Sequence, residues 1–209
     1  MRITFSYVLF SVCLSTFGQV DSTYYDNGMP RSVGAVQDEK KQGPWTFFYP
    51  SGVLSAKLNY EEDALDGIQQ YYNEKGKKIA EESWTHGLMN DSSFYFYGDG
   101  QLEKLGSLKD GLYTGQWRFF YENGQLKRSG VYSDGLPNGP WTFYLEDGTL
   151  LQEGEYAHGR EDGRWRFYEG GELSYEGSYA DGTRVGEWYR VKKGKKKLWK
   201  DFGQPSDIR

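Results

Sequence analysis

Seven times along this 209-residue chain the sequence restarts on one outline, every 24 residues and after 23 in the last step. Each unit runs from a glycine through an aromatic segment, a turn glycine and a second segment to a turn of the Asp-Gly type. The leading position holds Gly43, Gly67, Asp91, Gly115, Gly139, Gly163 and Gly186, and the turn glycine recurs from Gly52 to Gly194. An eighth, degenerate unit precedes them, with Tyr25, Gly28 and Gly34 standing where Tyr49, Gly52 and Leu58 stand one period later. Its first strand is expected to be lost into the N-terminal segment. A fixed short period marks an array in which each unit packs on its neighbours, rather than a globule closed around one core.

The composition fits such an array. Glycine accounts for 28 of 209 residues, about twice the usual ~7%, and 18% of residues are aromatic while hydrophobic residues reach only 37%. Burial must therefore come mainly from Trp, Tyr and Phe, which cover roughly 150 to 250 Å² each. The single cysteine, Cys13, excludes a disulfide framework and a cysteine metal site.

Residues 1–18 read as a secretory signal, with Arg2 before the uncharged apolar run Ile3 to Phe17 and small residues Thr16 and Gly18 ahead of a cleavage point near Gly18. The run is shorter than the ~20 residues that a membrane-spanning helix needs. A secreted or periplasmic location is expected. The remainder divides into a half-repeat over 19–42, seven repeats over 43–204 and a tail over 205–209.

Asp99-Gly100, Asn123-Gly124 and Asp147-Gly148 lie between aromatic segments and favour the positive φ angles of two-residue hairpin turns. Every unit thus reads as a β-hairpin, and Asp110-Gly111, Asp134-Gly135, His158-Gly159 and Asp181-Gly182 join one hairpin to the next. The expected fold class is all-β: an elongated, single-layer meander of stacked antiparallel hairpins. With Asn123-Gly124 as the turn, Tyr121 faces Leu126, Phe119 faces Arg128, Trp117 faces Gly130 and Gly115 faces Tyr132. A ring opposite a glycine covers backbone that would otherwise be bare. The sixth unit, one residue shorter, keeps Trp165 opposite Gly177 if its turn has three residues rather than two. The second and third units carry Gln69 with Glu82, and Ser93 with Asp91, in place of the tryptophan and glycines; they are expected to be the weakest.

Alternation sorts Trp117, Phe119, Tyr121, Leu126, Gly130 and Tyr132 onto a core-like face and polar residues onto the other. One aromatic column interrupts the polar face: Phe48, Tyr72, Phe96, Phe120, Tyr144 and Tyr168, ~9.6 Å apart at two strands per step. The stripe is either a contact groove or the apolar cover that a single-layer sheet needs on its second side.

The pattern Gly-x-Trp-x-Phe-Tyr, turn glycine, then Leu-x-x-x-Gly-x-Tyr-x-x-Gly, as over Gly139 to Gly159, resembles the MORN repeat, and more closely its bacterial variant found in proteins named as YwqK-family antitoxins. The resemblance covers residues 19 to about 204. It implies a rod of stacked hairpins used for protein contacts, in some members for lipid association or homodimerisation, and it leaves an antitoxin role open.

Catalytic groupings are lacking in the sequence. His86 and His158 occupy the column that holds Asp110, Asp134 and Asp181, which marks them as turn residues, and the glycines open strands rather than a phosphate-binding helix. Neither an enzyme, a cofactor nor a metal is expected. Charge is uneven: nine Lys or Arg against three acids from Arg184 to Arg209 leave sixteen against twenty-seven elsewhere. The cluster Lys192, Lys193, Lys195, Lys196, Lys197 and Lys200 serves either as a charged edge that stops further sheet addition or as a contact for anionic lipid, envelope polymer or nucleic acid. The chain is expected to bind a protein partner, with envelope glycan or lipid as the alternative, and no nucleic acid.

Overall fold

The computed structural model describes residues 19–204, so residues 1–18 with the expected signal and Cys13, and residues 205–209, lie outside the described residues. Every described element is a strand, and all seventeen belong to one open antiparallel sheet that follows the order of the sequence. The sheet begins with β1 (Gln19–Tyr24), β2 (Pro30–Gln37), β3 (Lys40–Phe48) and β4 (Leu54–Glu61). β5 (Ala64–Leu65) and β6 (Gly67–Tyr72) are two pieces of one strand broken at Asp66, both paired to β4. There follow β7 (Lys78–Thr85), β8 (Leu88–Phe96), β9 (Leu102–Lys109), β10 (Leu112–Phe120), β11 (Leu126–Ser133) and β12 (Leu136–Tyr144). The last five are β13 (Leu150–Ala157), β14 (Arg160–Glu169), β15 (Glu172–Ala180), β16 (Thr183–Lys192) and β17 (Lys195–Asp201). The degenerate first unit has both its strands, since β1 pairs with β2 along its whole length; the expected loss of its first strand is corrected.

The two kinds of turn divide differently from the sequence expectation. At the joins between units, both central residues have positive φ, as in Asp110 (51°) and Gly111 (80°), which defines two-residue turns of the mirror-image type. Inside the degenerate unit and the first five repeats only the glycine does, whereas the last two repeats turn through Gly170-Gly171 and Lys193-Gly194 with positive φ at both residues. Around Asn123-Gly124, the Tyr121 amide donates to the Gln125 carbonyl and the Gly124 amide to the Tyr121 carbonyl, closing a three-residue loop. Asn123 serves this loop with its side chain, accepting the Gln125 amide at 2.9 Å, as Asp99 and Asp147 do for Gln101 and Thr149. The longer loop shifts the register, so that Leu126 pairs with Phe120 and not with Tyr121, and Leu126 joins the polar face's aromatic stripe instead of the core-like face. Beyond the shift, the pairs Phe119 with Arg128, Trp117 with Gly130 and Gly115 with Tyr132 stand as expected. In the sixth unit the count is reversed: Glu169 pairs with Glu172 across a two-residue Gly170-Gly171 turn, and Trp165 still meets Gly177. The deletion removes one residue from the three-residue loop of the first five repeats; the seventh repeat also turns through two residues, with Lys192 paired to Lys195.

The glycine opposite each tryptophan touches a different ring from the one within its own hairpin. Gly130 is in register with Trp117 on one side and Trp141 on the other, and it is Trp141 whose ring lies 2.0 Å from where a Cβ would stand. Trp45 covers Gly34 in the same way, Trp117 covers Gly106, Trp165 covers Gly154 and Trp188 covers Gly177. Each indole locks its hairpin to the preceding one. A second contact strengthens the lock. The ladder between β11 and β12 breaks after Gly130, and the Trp141 Nε1–H donates at 3.1 Å to the carbonyl of Val131, the residue at the break. The same bond joins Trp45 to Ala35, Trp117 to Ser107, Trp165 to Glu155 and Trp188 to Ser178. A backbone carbonyl left by a bulge would otherwise need water or another donor.

Five tryptophans are at most 3% exposed although the sheet has one layer. Their cover is aromatic: Trp117 stacks on Tyr113 with centroids 3.7 Å apart and meets Tyr132 edge-on, and Trp141 lies edge-on to Tyr132 and Tyr156. The core is therefore a ribbon of rings along one face rather than a centre. In the second unit Gln69, fully buried, replaces the indole. Its Nε2 reaches the carbonyls of Asn59, Asp66 and Gly67, and its Oε1 accepts the Asn59 amide at 2.7 Å. In the third unit Asp91 supplies the left-handed residue (φ 64°) that glycine supplies elsewhere.

Candidate interaction faces

The aromatic stripe is assembled in the structure. Phe48, Tyr72, Phe96, Phe120 and Tyr144 each end the first strand of a hairpin, Tyr168 stands one residue before the end of its own, and all six are half-buried. Their cross-strand partners are Leu54, Lys78, Leu102, Leu126, Leu150 and Leu173, so aromatic and mostly leucine side chains alternate from strand to strand. The stripe is thus a second apolar seam as well as a surface.

Up to Tyr121, the residue that follows the first strand of each hairpin clasps the next hairpin. Tyr25, Tyr49, Tyr97 and Tyr121 donate their hydroxyls at 2.7–2.8 Å to the carbonyls of Phe48, Tyr72, Phe120 and Tyr144 in the next hairpin. Asn73 makes the corresponding clasp to Gly98. Sequence reasoning missed the clasp, although the 24-residue recurrence of a tyrosine beside the stripe was its signal.

Charged groups gather on the same face near the C-terminal end. The Glu176 carboxylate, its side chain only 4% exposed, accepts Arg164 at 2.6 Å and Lys196, with Arg166 at 3.9 Å. Arg166 also donates to Glu153 at 3.0 Å, and Glu153 accepts the Tyr168 hydroxyl at 2.7 Å. Burial pushes the Glu176 carboxyl up, but hydrogen bonds from Lys196 and Arg164 outweigh it and hold the group below the usual 4.5. A carboxyl whose folded pKa is lowered adds stability that is present above its unfolded pKa and is lost as pH falls through the folded value. Thermal melts between pH 7 and pH 3 are expected to show a steeper acid loss for the unmodified chain than for Glu176→Gln; parallel curves would contradict the assignment.

The six lysines do not form one patch. β17 is exposed throughout, but Lys196 is turned to Glu176 while Lys200 lies 4.6 Å from the Phe202 ring on the core-like face. Lys193 sits in the last turn with a positive φ. His86 and His158 are turn residues with φ near 50°, like Asp110, Asp134 and Asp181. Glu61, Asp66 and His86 each bring one ligand atom within 4.8 Å of the others, the closest approach to a metal-holding group among the described residues. One Asp66 oxygen is already engaged by the His86 amide.

The fold and these faces define an open, single-layer array of β-hairpin repeats held together by rings and turn clasps. A family model for the MORN repeat variant matches at residues 41–62, 113–134 and 137–158, each a hairpin of this sheet, so the chain carries MORN-variant repeats at those three hairpins. No curated protein matches it.

Proposed function

We propose that the chain is a non-catalytic scaffold that binds another protein through its repeat array, at the cell envelope or outside the cell. Repeats of this kind suggest a binding or scaffold protein. The observation that carries the reading is the register: one sheet runs from Gln19 to Asp201, so equivalent side chains recur every two strands along an open face. Such a surface matches an extended partner along its length better than a small molecule in an enclosed site. The half-exposed stripe supplies amphipathic and aromatic area, which anchors interfaces at low entropic cost. The extracytoplasmic location rests on residues 1–18 alone, and cell fractionation tests it.

The stripe is tested with Phe120→Ser/Tyr144→Ser. The double variant is expected to melt a few degrees below the unmodified chain while losing at least tenfold in affinity for a partner captured from envelope extracts. Unchanged binding by the folded variant would move the contact surface elsewhere.

A further inference from the structure

On the core-like face the chain places its own cations between aromatic rings, in a row that follows the register. Between Tyr95 and Phe119 stands Lys104, with its Nζ 4.3 Å from the Tyr95 centroid. Between Phe119 and Phe143 stands Arg128, with its Cζ 4.2 Å from the Phe119 centroid. Between Tyr71 and Tyr95 the same place holds Ala80, which offers no cation.

Beside Ala80 the usual glycine is replaced by a carboxylate. Glu82, 9% exposed, lies in register with Gln69 and Ser93, the two positions where other hairpins carry the tryptophan. The Trp84 indole donates to Glu82 Oε2 at 3.0 Å. None of the ion pairs among the described residues includes Glu82. Across the ladder, the hydroxyl of fully buried Ser93 makes no well-formed hydrogen bond, and the Tyr95 hydroxyl lies against both it and Glu82. Neutral donors satisfy the lone pairs of a buried carboxylate but leave its charge without a cation, which is costly in a water-poor site.

We propose that Glu82, Ser93 and the rings of Tyr71, Trp84 and Tyr95 form a site for a primary alkylammonium group, as a lysine side chain carries, occupying the place that Lys104 and Arg128 fill in the following hairpins. The rings attract the charge through their faces, the carboxylate neutralises it, and an ammonium has the three N–H donors that Glu82 and Ser93 can accept. Burial and then the Glu82 charge push the Tyr71 hydroxyl up to about 12 and raise that of Tyr95, so both rings remain neutral. Ala56, between Phe47 and Tyr71, marks the contrast. There Leu58 stands in the place of Glu82, and Lys41 already lies over Phe47 with its Nζ 5.6 Å from the centroid.

The site faces away from the stripe and goes beyond the scaffold reading. A Phe120→Ser/Tyr144→Ser variant is expected to retain it, so the two fail separately. The test is an NMR titration of the Trp84 indole resonance, assigned with Trp84→Phe, using n-butylammonium and its neutral counterpart n-pentanol. The amine is expected to give a saturable shift and the alcohol none. Glu82→Gln is expected to weaken the amine at least tenfold, and Ala80→Lys, which supplies the cation from the chain itself, to abolish its binding. No saturable shift by about 50 mM amine, where even a millimolar site would be filled, would overturn the proposal. Equal shifts from the alcohol, or undiminished binding by a folded Ala80→Lys variant, would do the same.

Discussion

Trp141→Ala is expected to destabilise the chain by about 4 kcal/mol, near the middle of the range for removing a large buried aromatic. Three losses combine at this position. The ring is 2% exposed, so its area returns to water; its edge-on contacts with Tyr132 and Tyr156 disappear; and the Val131 carbonyl loses the Nε1–H that closes the bulge. Trp141→Phe separates the last term from the others, because it keeps a ring and removes the donor. It is expected to recover more than half of the loss in chemical denaturation. A cost below about 1 kcal/mol for Trp141→Ala would show that the indole does not lock adjacent hairpins.

Gly130→Ala is expected to cost about 2 to 3 kcal/mol, the range for forcing atoms into a filled core. In an ordinary strand the same exchange is favourable, since glycine there loses more backbone freedom than alanine. Gly130 has no left-handed φ to protect, so the penalty must come from the Trp141 ring 2.0 Å from the added carbon. The origin is separable by a double-mutant cycle. In the Trp141→Ala background the added methyl meets no ring, and Gly130→Ala is expected to become neutral or slightly stabilising. Additive losses in the double variant would contradict the contact.

Much of this arrangement was legible in the sequence. The period predicted hairpins, and Trp117 opposite Gly130 followed from counting residues between them. What counting could not settle was which ring lies on the glycine, because Gly130 is in register with Trp117 and Trp141 alike and only the local break in the ladder tips Trp141 across it. The loop around Asn123-Gly124 was misread for a related reason. Asn-Gly suits a two-residue turn through positive φ at both residues, and it suits a three-residue loop through a positive φ at glycine with the asparagine side chain as acceptor. The letters are the same, and the consequence was a one-residue shift that moved Leu126 to the other face. In the sequence Gln69 and Ser93 read alike, as replacements of the tryptophan that weaken their hairpins. In space they part: Gln69 reproduces the indole's bond to the preceding hairpin, while Ser93 leaves a buried hydroxyl opposite Glu82.

The stripe was legible as a column of residues but not as a surface. Its pairing with leucines depends on the loop register, and the tyrosine clasps beside it depend on the hydroxyl reaching the next hairpin, 23 residues on. The Glu176 cluster joins residues from β14, β15 and β17, and no local motif announces it.

Solution X-ray scattering tests most directly whether these hairpins form an open array. Strands ~4.8 Å apart from β1 to β17 give a length of about 70 to 75 Å and a radius of gyration of about 22 Å. A single-layer monomer is predicted to show those values, with a distance distribution tailing to the full length. A radius near 16 Å, expected for a compact domain of this size, would contradict the account.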